Sequence, residues 1–125
     1  MTRIVCAEDC GNSPKRLLLK KVLTALARGD TAFVLRHLAE DVTWHQPGAA
    51  PLQGKAAVAQ LLEAMERETK AELVIENILT HGPTGAANGR MTLTNGESYA
   101  FAHVYRFKGA ADTQIKELTT YLIKT

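Results

Sequence analysis

The chain has 125 residues, 46% of them hydrophobic and 22% charged, with a formal net charge of +2. These are globular proportions that exclude a disordered chain, and the length suits one domain, residues 1–125, burying roughly two thirds of its unfolded surface. Lysines and arginines are dispersed among acidic residues rather than gathered into a basic stripe, which argues against nucleic acid, and no apolar run approaches the ~20 residues that span a membrane.

Residues 1–12 read as a short N-terminal extension without the apolar core of a signal peptide, so the expected location is cytoplasmic. Cys6 and Cys10 are the only cysteines, and their C-x-x-x-C spacing without a neighbouring His is a poor metal pattern. In a reducing compartment they read as idle thiols, with a redox-active or intermolecular pair as the alternative.

Ser13-Pro14 has the form of an N-cap followed by proline at the first helical position, and 15–28 continue as a helix until Gly29. Leu18, Leu19, Val22, Leu23 and Leu26 form its apolar stripe. Asp30 caps a short second helix, 31–38, with His37 solvated near its C-terminal end. Residues 41–45 have strand character that Gln46-Pro47-Gly48 must end, and 55–70 repeat apolar residues at helical spacing. The period then changes to two. Strands are expected over 73–81, 85–94, 97–107 and 114–123, broken by Gly82-Pro83 and by Asn95-Gly96, the strongest two-residue hairpin signal present.

The organising stretch is 98–107, where alternation places Tyr99, Phe101, His103, Tyr105 and Phe107 on one face and mostly small residues on the other. Such a wall of rings packs against helices or lines a cavity, and His103 sits in its middle. Helices followed by antiparallel strands define an α+β class, here three N-terminal helices packed on a curved antiparallel sheet.

Four segments, Ala27-Arg28-Gly29-Asp30, Leu38-Ala39-Glu40-Asp41-Val42-Thr43-Trp44, Gln53-Gly54-Lys55-Ala56-Ala57-Val58 and Tyr105-Arg106-Phe107-Lys108-Gly109, occur in an order and spacing that resembles the nuclear transport factor 2-like, or SnoaL-like, superfamily. Asp9-Cys10-Gly11-Asn12-Ser13-Pro14-Lys15 is similar to a motif of small bacterial members. The resemblance covers nearly the whole chain. It implies a cystatin-like α+β cone whose mouth accepts a small apolar molecule, in a family of isomerases, dehydratases, cyclases, epoxide hydrolases and non-catalytic binders. Fold alone does not choose among them.

Against the family's isomerase pattern the resemblance puts Gln46 where the general base belongs, Val22 where an oxyanion tyrosine belongs and His103 where a protonated aspartic acid belongs. Gln cannot accept the proton, so that chemistry is vacant. The same register implies that Gln46, His103, Leu118, Thr120 and Leu122 point into the cone, with Tyr121 outside. Trp44 could be core or rim. His45 and His81 read as surface residues, and no pair of histidines has metal-ligand spacing. His103 has two readings, an acid or base within a pocket and a core histidine bonded across the sheet.

The resulting expectation is a binder of a small apolar molecule, contacted by Val22, Trp44, Gln46, Phe101, His103, Tyr105, Leu118, Thr120 and Leu122. The alternative is a lyase, isomerase or hydrolase using His103. No metal or cofactor is implied. An outer sheet face carrying Tyr121 implies a homodimer.

Overall fold

The computed structural model describes residues 2–6 and 13–125. Its elements are β1 (Arg3–Cys6), α1 (Pro14–Arg28), α2 (Thr31–Arg36), β2 (Leu38–His45), β3 (Leu52–Gln53), α3 (Gly54–Glu66), β4 (Lys70–His81), β5 (Thr84–Leu93), β6 (Ser98–Phe107) and β7 (Ile115–Lys124). One curved, unclosed sheet runs β1-β4-β5-β6-β7-β2-β3 with the helices against it.

The helix boundaries follow their local chemistry. The Ser13 hydroxyl accepts from Arg16 N at 3.2 Å with Pro14 following, and Gly29 closes α1 at φ +75°, a left-handed conformation that glycine takes without a Cβ penalty. Asp30 caps α2 by accepting from Phe33 N. Buried residues of α1 (Leu19, Val22, Leu23), β2 (Val42, Trp44) and α3 (Val58, Leu62) meet the concave sheet face in one core.

Three features depart from the sequence-based expectation. The sheet is mixed rather than antiparallel, because β1 pairs parallel to β4 and β2 parallel to β7. The strand expected ahead of the third helix is present as β2, but two further strands were not expected: the short β3 before α3, and β1 before α1, so Arg3–Cys6 is an edge strand within the expected extension. The β5–β6 hairpin exists, but only Gly96 has positive φ (+93°), while Asn95 uses its side chain to accept from Glu97 N at 2.9 Å. The turn is therefore not the two-residue type in which both central residues adopt positive φ.

Cys6 is disulfide-bonded, which corrects the expectation of idle thiols; Cys10 lies outside the described residues. Among the described residues, no helix is long and apolar enough to cross a membrane.

Register determines which residues face the helices. Gly85, Ala87, Gly89 and Met91 of β5 oppose Tyr105, His103, Phe101 and Tyr99 of β6, and the first three of those β6 residues are paired on their other side with Leu118, Thr120 and Leu122 of β7. Glycine on β5 answers close neighbours on other elements: a Cβ at Gly85 would stand 3.0 Å from the Leu19 side chain of α1, and one at Gly89 would run into the Val74 carbonyl of β4.

Candidate functional site: a cavity between sheet and helices

The wall of rings divides along its length. Tyr105 and Phe107 are fully buried in the core, whereas Tyr99, Phe101 and His103 border a cavity of about 270 Å³. Its roof is Leu23, Leu26 and Ala27 of α1 with Leu61 and Met65 of α3; its floor adds Leu73, Met91, Thr120 and Leu122, and its ends Trp44, Gln46, Glu68 and Lys70. Leu122 is 52% exposed, so this edge is open to solvent.

A side-chain relay fixes the imidazole. The Trp44 indole N–H donates to Thr120 Oγ1 at 2.9 Å, and the same oxygen lies 2.7 Å from His103 Nδ1. Indole can only donate, and the Thr120 hydroxyl has no other acceptor among the described residues, so the assignment that satisfies all three groups has Thr120 donating its O–H to His103 Nδ1. It leaves the ring proton on Nε2, a nitrogen without a hydrogen-bond partner among the described residues. Burial pushes the His103 pKa down to about 4, so the ring is neutral at pH 7. Phe101 and Tyr105 flank it with centroids at 5.3 and 5.9 Å.

Of the residues singled out from sequence, Trp44, Gln46, Phe101, His103, Thr120 and Leu122 border the cavity. Val22, Tyr105 and Leu118 do not: all three are core residues, and the buried Tyr105 hydroxyl has no partner among the described residues. Burial also drives that phenol's pKa upward, so it stays protonated. His45 lies 3.9 Å from Glu117, and His81 is exposed. His37 is half-buried rather than solvated, its ring 4.7 Å from Phe33 and its Nδ1 without a partner among the described residues, and burial lowers its pKa. No group of three or more His, Cys, Asp or Glu placed to hold a metal occurs among the described residues.

Lys70 was missed. The sequence reading ends the third helix at this residue, on the solvent side, whereas α3 stops at Glu66 and Lys70 opens β4, where it is 4% exposed and borders the cavity. The ladder shifts register between Lys70 and Glu72, an added residue that returns Lys70 to the inner face opposite Leu93. Its Nζ donates to the carbonyls of Met65 (3.0 Å) and Glu68 (2.9 Å), closing the end of α3. Burial lowers its pKa, and the Glu68 charge opposes that shift.

An open, curved mixed sheet closed by three helices over a cavity bordered by β6 is the architecture of a known class, and a sequence profile described as the SnoaL-like domain matches residues 19–118. The chain belongs to that family. Among similar solved structures, an NTF2-like protein of unknown function from Burkholderia xenovorans LB400 has a TM-score of 0.76 at 16% identity, over 89% of this chain and 84% of that one. A protein assigned as a ketosteroid isomerase, from Kribbella flavida, has a TM-score of 0.75 at 20% identity, over 89% and 78%. An LEH-like epoxide hydrolase of M. tuberculosis has a TM-score of 0.71 at 22% identity, over 85% and 80%. No curated protein sequence matches significantly.

Proposed function

We propose that the protein is a receptacle for a small, largely apolar molecule, held in the cavity above β6 and oriented by the His103 Nε2–H. The observation that carries this reading is a cavity of about 270 Å³ whose lining is mostly hydrocarbon with a few converging polar groups. At about 30 Å³ per water molecule, it has the volume of roughly nine waters, enough for one small organic molecule. Acid–base chemistry at His103 is the less supported reading: a pKa near 4 makes the ring a weak base at pH 7, and the proton-accepting position taken by an acid in isomerases holds Gln46. The names of the similar structures include an isomerase and a hydrolase, at identities that speak for the fold alone.

Native mass spectrometry of protein taken from cells tests this, with Met91→Trp filling the cavity as the control. A noncovalent mass carried by the wild type and lost in the variant supports the receptacle. A wild type that binds none of a panel of small apolar compounds at high micromolar concentration overturns it.

The proposal includes a homodimer through the outer sheet face, where Leu79, Val104, Tyr121 and Ile123 are exposed around the small Ala86, Ala100 and Ala102. Sedimentation should give twice the monomer mass, and Tyr121→Glu should halve it. A wild-type monomer would remove this part. A cytoplasmic location is also proposed, and recovery of the protein from a secreted fraction would replace it, consistent with the Cys6 disulfide.

A further inference from the structure

Resting on the receptacle reading, we infer that the molecule bound is an acid: an apolar body along Phe101, Leu73 and Met91, with a single carboxylate against Lys70. An ammonium has three donors, and here two are spent on the carbonyls of Met65 and Glu68. The third has no partner among the described residues, and no carboxylate lies within ion-pair distance of Nζ there. The side chain is nevertheless almost completely buried at one end of the cavity.

A buried cation whose nearest counter-charge, the Glu68 carboxylate, acts on it only from beyond ion-pair distance is costly, and such a cation with an open donor facing apolar walls is a site for an anion. The Glu68 carboxylate does not fill that role: it belongs to an exposed residue, and only its backbone carbonyl contacts Nζ. His103 adds a second donor by its Nε2–H, the imidazole being tied at Nδ1 to Thr120. Both groups call for acceptors on the ligand, and a carboxylate supplies them to Lys70 in a charge-assisted form. An alcohol or amine would leave the ammonium unpaired. A dicarboxylate would bury a second charge with no cation to meet it.

The test is isothermal titration of the intact protein with matched pairs, octanoate against octanamide and 4-phenylbutyrate against 4-phenylbutyramide. The acid should bind roughly tenfold tighter or more than its amide, the margin of one hydrogen bond to a charged partner. Lys70→Met should bring the acid-to-amide ratio to about one, and Glu68→Gln, which removes a repelling charge, should raise it. The wild-type ratio and the Glu68 variant decide the matter even if Lys70→Met fails to fold. Equal affinity for acid and amide overturns the inference and leaves the receptacle standing, as does an acid preference that survives Lys70→Met. Failure of every compound to bind removes the receptacle and this inference with it.

Discussion

Replacing Thr120 by Val removes one oxygen that two buried groups share. Trp44 is almost wholly buried and its indole N–H has this single acceptor, while His103 loses the partner of Nδ1. A buried polar group stripped of its partner costs about 1–3 kcal/mol. Water reaching Nδ1 from the cavity side offsets part of the second loss, which sets the total at about 2–4 kcal/mol. That is a large share of the 5–15 kcal/mol typical of a domain. Urea unfolding followed through Trp44, the chain's one tryptophan, measures it directly. With a slope of about 1–3 kcal/mol per molar urea, the midpoint should fall by roughly 1–2 M while the slope holds. Thr120→Ser retains the hydroxyl and should keep most of the stability. A Val variant within about 0.5 kcal/mol of wild type, or a Ser variant as weak as the Val one, would refute the relay.

Three further outcomes follow from buried groups. His103 has a folded pKa of about 4 against 6.5 when free, so below pH 6.5 the unfolded chain binds the proton first. Its contribution is fully present above pH 6.5 and is lost as pH falls toward 4, at up to about 1.4 kcal/mol per pH unit; His103→Phe should flatten that segment of a stability–pH curve. Tyr105→Phe deletes an unpartnered buried hydroxyl and should leave chemical denaturation unchanged or raise stability by about 1 kcal/mol; a loss above that would reveal a missing partner. Gly89→Ala should cost more than about 3 kcal/mol in the same assay, because its Cβ would stand 1.9 Å from the Val74 carbonyl oxygen, and a mild loss would contradict the β4–β5 packing.

The strand that borders the cavity was legible because alternation is a local property: Phe101, His103 and Tyr105 fall on the inner face as period two requires. Where alternation breaks, legibility ends. Helical spacing carried the third helix four residues too far, to Lys70, and the added residue near the start of β4 that turns Lys70 inward leaves no mark in composition. Equally hidden were the parallel pairings of β1 with β4 and of β2 with β7, which join segments far apart in the chain. Tyr105 and Leu118 share the inner face with His103 and Thr120, yet lie beyond the end of the cavity, and periodicity cannot say where a wall stops being lined by space and becomes lined by core. The fold was readable from helix caps, breakers and period; the cavity's floor was readable in part, and its charged end was not.

The single indole offers the most direct measurement of the central claim. In a nitrogen–proton correlation spectrum the Trp44 Nε1–H gives one peak, and that proton donates to Thr120 at the cavity wall. Titration with octanoate should move this peak in step with the calorimetric binding curve and produce nuclear Overhauser contacts from the indole to the ligand chain. Calorimetric binding that leaves the indole peak unmoved, with shifts confined to the outer sheet face around Tyr121, would put the ligand elsewhere and contradict the account.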